Sequence, residues 1–489
     1  MNNNSEEKSI EKKNSDSRRK FIKNAAAIGA GVWILPRHVL GGKGFIAPSD
    51  KLRIASVGVG GKGESDINMF DKSGKADIAF LCDVDDRRAA NSVKKFPKAK
   101  YYKDWRELFE KEEKNFDAVS VSTPDHNHAI ITLGAMMRGK HVYVQKPLTH
   151  DIHEARVLTA AAKKYKVVTQ MGNQGASNDG TRKLSEWYDA GLIGDVHTVY
   201  IWTDRPVWPQ GIPWPSTAAP VPRELDWDLW QGTAAATDYV DKLVPFNWRG
   251  WWEYGTGALG DMGCHLVEAA FRVLNLKYAS EVQASVGSVY VDEFQRGYYP
   301  KACPPSSHVT LKFPKTDKTK GDIEVHWMDG GIQPTRPEEL GPNDPFGDGG
   351  NGTLFIGTKG KMLADTYSRN ARLLPLNRNE GLKVPEKYAR VPDGEQGHYR
   401  QWVEAAIAGY GNKEVSSPFE TAGPLTEALL MANLAIRGFD LQRRQGDKIS
   451  YPGRYVKLLW DNDQMRITNF DEVNAFVKRQ YRKGWTLGM

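Results

Sequence analysis

Cysteine is scarce in this chain: three residues in 489, Cys82, Cys264 and Cys303. Their odd number and their spacing fit neither a disulfide framework nor a zinc site, so the thiols are expected to be free and no metal is expected. Long apolar runs are also missing. The longest candidate near the amino terminus, Ala25 to Leu35, is about half of the roughly 20 residues a membrane-crossing helix needs. A basic face for nucleic acid is absent as well. The net charge is +7, but residues 1–44 hold nine Lys/Arg against four Asp/Glu, which leaves a surplus of only two for the rest. Nucleic acid is therefore excluded as a partner. There are no internal repeats and no low-complexity tract beyond the first seventeen residues. What remains is ordinary globular composition, 40% hydrophobic and 26% charged, at a length suited to two or three domains.

The basic surplus has a pattern. Ser17-Arg18-Arg19-Lys20-Phe21-Ile22-Lys23, the short apolar run and Pro36 look like a twin-arginine export signal. Residues 1–44 are thus expected to be a leader, cleaved somewhere in Arg37 to Phe45, and the mature protein periplasmic. No lipobox cysteine follows the run. That route carries folded proteins, often with a cofactor already loaded.

A cofactor site is legible at once. The strand-like run Leu52 to Val57 leads into Gly58-Val59-Gly60-Gly61-Lys62-Gly63 and then a helical stretch. Between a strand and a helix, Gly58, Gly60, Gly61 and Gly63 form the dinucleotide fingerprint: a tight turn, close backbone approach to pyrophosphate, and helix-to-strand packing. The anion would rest on the helix amino terminus. A second strand ends at Asp83, twenty-five residues after Gly58. An acid there can accept from both adenosine ribose hydroxyls and repels a 2′-phosphate, favouring NAD, with Arg87 and Arg88 leaving NADP open. Apolar strands and helices keep alternating: Ala118 to Ser122 ends in Thr123-Pro124-Asp125-His126-Asn127-His128, and His141 to Val144 ends in Gln145-Lys146-Pro147. This predicts an α/β fold with a doubly wound parallel sheet over residues 45–170, its ligand edge at the carboxyl ends of the strands.

GVGGKG, STPDHNH, QKP and Gly260-Asp261-Met262-Gly263-Cys264-His265 together resemble the Gfo/Idh/MocA group of NAD(P)-dependent oxidoreductases, over residues 51 to about 440. Trp202 to Pro206 and Trp208 to Gly211 are similar to its exported bacterial branch. Gln145 stands where that family has glutamate, which removes a charge beside Lys146. The resemblance implies cofactor contacts from Thr123, Pro124, His126, Gln145 and Lys146, and gives His265 and Asp261 catalytic or substrate-contacting roles. It also implies a second domain over 171–489, α+β with a large open, mainly antiparallel sheet, and pairing of subunits into a homo-oligomer.

Hydride transfer from a carbinol carbon requires a base within hydrogen-bond reach of the hydroxyl. Lys146 fits this role, since a lysine enclosed beside a cofactor has its charged form disfavoured by desolvation. Asp261 and His265, four apart on a helix, would share a face, so that the carboxylate orients or charges the imidazole. Tryptophan is dense from Trp202 to Trp252, and indole faces pack well against sugar rings. Arg205, Trp208, Trp252 and Tyr254 are the candidate substrate contacts. His398 opens a helix and reads as structural, and Gln333 to Gly352 as a loop serving as lid or subunit contact. The expected activity is an exported oxidoreductase acting on a hydroxyl of a sugar, glycoside or polyol with tightly bound NAD. The alternatives are a glycoside hydrolase or lyase using transient oxidation, and a non-catalytic sugar-binding protein.

Overall fold

The computed structural model describes residues 50–488. The leader and its arginine pair lie outside the described residues. The chain from Lys51 onward opens with β1 (Leu52–Val57), α1 (Lys62–Lys72), β2 (Ala76–Cys82), α2 (Asp86–Lys95), β3 (Lys100–Tyr102) and α3 (Trp105–Glu112). It continues through β4 (Ala118–Val121), α4 (His128–Met137), β5 (His141–Gln145), α5 (Ile152–Tyr165) and β6 (Thr169–Gly172). All six strands are parallel, in the order β3-β2-β1-β4-β5-β6, the doubly wound arrangement expected. Their buried faces explain the near-continuous apolar runs: Ile54, Ala55, Val119, Val121 and Val142 are all at 0% exposure.

Register builds the ligand edge. Val57 pairs with both Cys82 and Val121, Val121 with Val144, and Gln145 with Gly172. Gly58, Asp83, Ser122 and Lys146 therefore leave the sheet at one level, beside the switch point between β1 and β4. The glycine turn is tight because it has to be. A Cβ on Gly58, whose φ is +77°, would lie 2.6 Å from the Ser122 carbonyl oxygen, and one on Gly63 would lie 1.9 Å from the Gly58 oxygen.

The rest of the chain holds α6 (Asp179–Asp189), β7 (Val196–Trp202), α7 (Trp227–Gln231), α8 (Gly257–Leu266), α9 (Glu268–Leu274), β8 (Glu281–Val286) and the hairpin β9 (Tyr290–Asp292) and β10 (Gln295–Arg296). There follow β11 (Ser307–Phe313), β12 (Ile323–Met328), β13 (Gly352–Gly357), β14 (Gly360–Ala364), β15 (Arg372–Leu374), α10 (Gly394–Ala408) and α11 (Phe419–Phe439). Two short pairs close it, β16 (Arg443–Gln445) with β17 (Lys448–Ser450) and β18 (Leu458–Asp461) with β19 (Arg466–Ile467). Nine strands form one open sheet, ordered β15-β14-β13-β7-β12-β11-β8-β18-β19, antiparallel except for the β7–β12 pair. The Gln333–Gly352 stretch is irregular, as expected, but it is pinned to this sheet rather than held over the ligand edge: Phe346 packs on Trp202 with centroids 4.4 Å apart.

Two features position the site from outside the sheets. Residues 203–256 fold back over the first domain, where Leu225 bridges to Asp85 and the Asp226 N–H donates to the Val84 carbonyl. The carboxyl-terminal tail then fastens this excursion: Arg479 bonds the His126 carbonyl, Thr233 and Glu154, and Arg482 bonds the Gly232 carbonyl. No helix among the described residues is long and apolar enough to cross a membrane.

Candidate functional site

A cleft of about 600 Å³ runs from the glycine turn to the second domain. At one end are Gly58, Gly60, Gly61, Asp83, Thr123 and Pro124, and at the other Lys146, Arg205, Trp208, Arg249, Asp261, His265 and Tyr367. The cofactor end fits a dinucleotide on two observations. The turn has no room for side chains, and the Thr123 hydroxyl is buried on the cleft floor with no hydrogen-bond partner. An orphaned hydroxyl at this level is a donor and acceptor awaiting a ligand.

Asp83 does more than the sequence implies. Its Oδ2 accepts the N–H groups of Val59 (2.8 Å) and Gly60 (3.2 Å), and its Oδ1 accepts that of Asp85 (3.0 Å). Val59 and Gly60 of the turn and Asp85 just beyond β2 thus take three of roughly four acceptor positions on the carboxylate, which leaves about one for a ribose hydroxyl. Arg87 is committed to Asp85 (Nε to Oδ1 2.8 Å, Nη2 to Oδ2 2.6 Å), whereas Arg88 lies over the turn, with its guanidinium in the space a Gly61 side chain would fill.

His126 is not at the cofactor. It is fully buried behind the cleft, with Nε2 3.0 Å from the Trp230 carbonyl and Nδ1 3.3 Å from that of Tyr254. Burial, with Arg479 nearby, pushes its imidazole down to about 3, so it stays neutral and ties the aromatic excursion to β4. Its neighbours Asp125 and Asn127 face the cleft instead. Asp125 accepts the Thr256 hydroxyl at 2.7 Å, and burial raises its carboxyl.

Gln145 explains its own departure from the family pattern. Its amide nitrogen donates to Asp66 Oδ2 at 2.8 Å. Asp66, at 0% exposure on α1, also receives Ser122 Oγ (2.8 Å), Tyr399 OH (3.0 Å) and Lys62 Nζ (2.5 Å). A negative group therefore does stand beside the end of β5, contributed by α1 rather than β5. A glutamate at 145 would set a second carboxylate against it.

At the substrate end, Lys146 Nζ bonds Asp261 twice, to the carbonyl (2.5 Å) and to Oδ1 (2.8 Å), and Arg249 Nε approaches the same Oδ1 at 3.4 Å. Lys146 and Arg249, against the cost of burial, hold the Asp261 carboxyl down at about 2, so it is ionised at neutral pH. Two expectations change here. The amine sits in an ion pair instead of an apolar enclosure, and Asp261 serves the amine instead of bonding the imidazole. His265, on the same face of α8, pairs through Nδ1 with Asn173 Oδ1 (3.1 Å) and lies edge-on to Tyr367 at 4.6 Å. Burial, then Lys146, keeps the imidazole well below its ordinary value, and hence neutral. A proton on Nδ1 directed at Asn173 leaves Nε2 as a free acceptor.

The tryptophans divide. Trp208 and Arg205 line the cleft, Trp208 donating Nε1–H to Gln210 (2.9 Å) and Arg205 pairing with Asp204 (2.5 Å). Trp252 and Tyr254 do not reach it. Tyr254 is fully buried, its hydroxyl 2.7 Å from Thr237 Oγ1, and Trp252 faces away into separate cavities. Trp230 and Trp248 also border the cleft but are 7% and 5% exposed, and Trp251 is core at 4%. The group thus forms one packed apolar wall of the cleft, with only Trp208, Trp230 and Trp248 reaching it. His398 is structural, buried between Ser177 Oγ (2.7 Å) and the Met171 carbonyl (3.0 Å). Cys264, between Asp261 and His265, is buried, and its thiol is pushed up to about 12.

Asn173, Arg249, Tyr367, Asp125 and Lys62 were not singled out as site residues. Lys62 carried a signal, being inside the glycine motif. Tyr367 carried none: it enters from a distant turn in left-handed backbone (φ +61°), packed where a Gly175 side chain would stand.

Two family descriptions match the chain: an oxidoreductase family with an NAD-binding Rossmann fold over residues 52–173, and the C-terminal alpha/beta domain of that family over 193–298. Among curated relatives, an alpha-N-acetylgalactosaminidase of Shewanella oneidensis is 30% identical over 181 residues, 32% of this chain and 39% of the relative. A myo-inositol 2-dehydrogenase of Thermotoga maritima is 27% identical over 158 residues, 32% and 47% of the respective chains. The matched stretch thus spans less than half the length of these relatives. An aldose-aldose oxidoreductase of Caulobacter crescentus, solved with glycerol, shares the fold with TM-score 0.53 at 17% identity, covering 79% of this chain and 98% of that one. With its glycine turn, its doubly wound sheet and both matched domains, the chain belongs to the Gfo/Idh/MocA oxidoreductase family.

Proposed function

We propose that the protein is an exported oxidoreductase that takes a hydride from a carbinol carbon of a sugar, glycoside or polyol and holds its NAD firmly. One observation carries the reading: the ion-paired amine of Lys146 and the free acceptor of His265 face the same cleft that begins at the glycine turn. Gly58, Gly60, Gly61 and the amino terminus of α1 would hold the pyrophosphate, Asp83 one ribose hydroxyl, and Thr123 a further polar group of the dinucleotide. The bound nicotinamide supplies the hydride acceptor.

The residues then divide the proton work. Lys146, fixed by Asp261, donates to the substrate oxygen and stabilises the charge that develops on it. His265 Nε2 is the acceptor for the hydroxyl proton, and Asn173 fixes the ring. Arg205 and Trp208 line the wall a polyhydroxylated substrate would meet. Export rests on the arginine pair and the apolar run at residues 17–35. Outside the cytoplasm there is no soluble dinucleotide pool to exchange with, so firm retention and a second substrate that takes the hydride back complete the cycle.

The galactosaminidase relative supports a second reading, in which oxidation is transient and a glycosidic bond is cleaved. Incubating the native protein with sugars, polyols and aryl glycosides separates them. A keto-sugar with reduced bound nicotinamide supports the oxidoreductase. Free reducing sugar without net redox supports the hydrolase or lyase, and neither product on any substrate rejects both.

A further inference from the structure

Arg437 lies in the last turn of α11, outside the catalytic cleft, and makes no hydrogen bond or ion pair with any described residue. Among the described residues three other arginines lack such a partner, Arg88, Arg223 and Arg444, and all three are exposed. Arg437 is not. Its guanidinium is stacked on Phe476 at 3.5 Å and approached by Trp252 at 5.5 Å, and burial lowers it to about 10. Stacking occupies the faces of the guanidinium and leaves its N–H edge without a protein partner and open to the space beside it, the edge that recognises a carboxylate in two-pronged fashion.

That edge borders two small chambers, of about 190 and 220 Å³, which share Trp252, Pro300 and Arg437 as a common wall. The larger is walled by Trp214, Trp251, Trp252 and Tyr254, with Trp214 and Trp251 edge to face at 4.7 Å. Lys301 stands at its rim, 5.7 Å over Trp214, and makes no ion pair with any described residue. Glu253 is the acid in range. It is exposed and accepts the Ala235 N–H at 2.6 Å, leaving acceptor capacity for hydroxyls. Two cations, one acid and indole walls are the chemistry of a ring that carries hydroxyls and one negative group. The chamber shares no lining residue with the catalytic cleft.

We infer that this chamber is a second ligand site, taking a single sugar ring that bears a carboxylate, with the carboxylate on Arg437 and the ring against the tryptophans. It backs onto the wall of the catalytic cleft through the stretch from Trp248 to Tyr254, and it does not depend on the reaction proposed above.

Calorimetric titration of the full chain with D-glucuronate, and with D-glucose as the neutral control, tests this. The expected result is saturable uronate binding at least tenfold tighter than glucose, lost at least tenfold in Arg437→Gln, weakened severalfold in Lys301→Ala, and unchanged in Lys146→Ala. Lys301 is exposed, so its variant remains informative should Arg437→Gln fail to fold. Absence of uronate binding, binding indifferent to both chamber variants, or binding lost in Lys146→Ala would each overturn the proposal. So would a dimer, seen by sedimentation, that Arg437→Gln dissociates while no uronate binds, since a second copy would then be the partner of Arg437.

Discussion

At the scale of single residues, the site depends on which partner each charged group keeps. Lys146 is fixed by Asp261, and Asp261 by Lys146 and Arg249. Lys146→Ala is expected to lower kcat by about 10²- to 10³-fold, the usual range for a lost donor to a developing oxyanion, while the dinucleotide content measured after denaturation stays unchanged. A variant retaining near-normal turnover would remove the amine from the chemistry. Gln145 gives a sharper case. Gln145→Glu sets two carboxylates side by side at Asp66, and should destabilise the protein by about 1–3 kcal/mol at pH 8, with part of the loss recovered in Asp66→Asn/Gln145→Glu. Thermal melts of the three proteins check this, and equal melting points would show that the pair does not interact. The glycines, Asp83, Lys146 and His265 were legible because each stands at a fixed offset from a strand or helix end. Asn173 and Tyr367 were not, because only the meeting of two domains brings them to the imidazole. The partner exchange at Asp261 was missed for a related reason: helical spacing places two side chains on one face without saying what lies opposite.

At the scale of elements, the first domain was readable because parallel strands buried on both faces leave continuous apolar runs. The structure adds β3, β14, β15, β18 and β19, which are short and half-polar and leave no such run. The aromatic excursion misled for a physical reason. Tryptophan is enriched both in sugar sites and in small cores, and composition alone does not separate them; here Trp230, Trp248, Trp251 and Tyr254 pack on one another. The turn after β1 carries the element-scale prediction. In Gly58→Ala the new methyl would meet the Ser122 carbonyl in a backbone conformation that alanine disfavours. Purified Gly58→Ala should retain less than a tenth of the wild-type dinucleotide, read by absorbance of the denatured supernatant. Full retention would mean that the turn does not cradle the cofactor.

At the scale of the whole molecule, acid should be the weak direction. His126 and His398 are neutral in the fold down to about pH 3, chiefly through burial, and His150 and His265 are shifted the same way. In the unfolded chain each takes a proton near pH 6.5. Each of these histidines therefore costs up to roughly 1.4 kcal/mol per pH unit as pH drops below about 6.5, because the unfolded state takes the proton first, and this is partly offset by Asp151 and Asp329, whose buried carboxyls, raised to about 7 and about 6, take up protons before the unfolded chain does. The Asp261 ion pair adds a later loss, between about pH 4 and 2, as its depressed carboxyl is protonated. Denaturant midpoints measured from pH 8 to 4 should decline steadily below 6.5, and a flat profile would contradict the buried neutral histidines.

The proposed chemistry requires a dinucleotide between the glycine turn and the Lys146–His265 pair. Its most direct measurement is the identity and amount of nucleotide released when purified full-length protein is denatured, with and without prior incubation with NAD. Close to one NAD per chain is expected in the wild type and in Lys146→Ala, and little in Gly58→Ala. Protein that carries no dinucleotide and takes none up would contradict it.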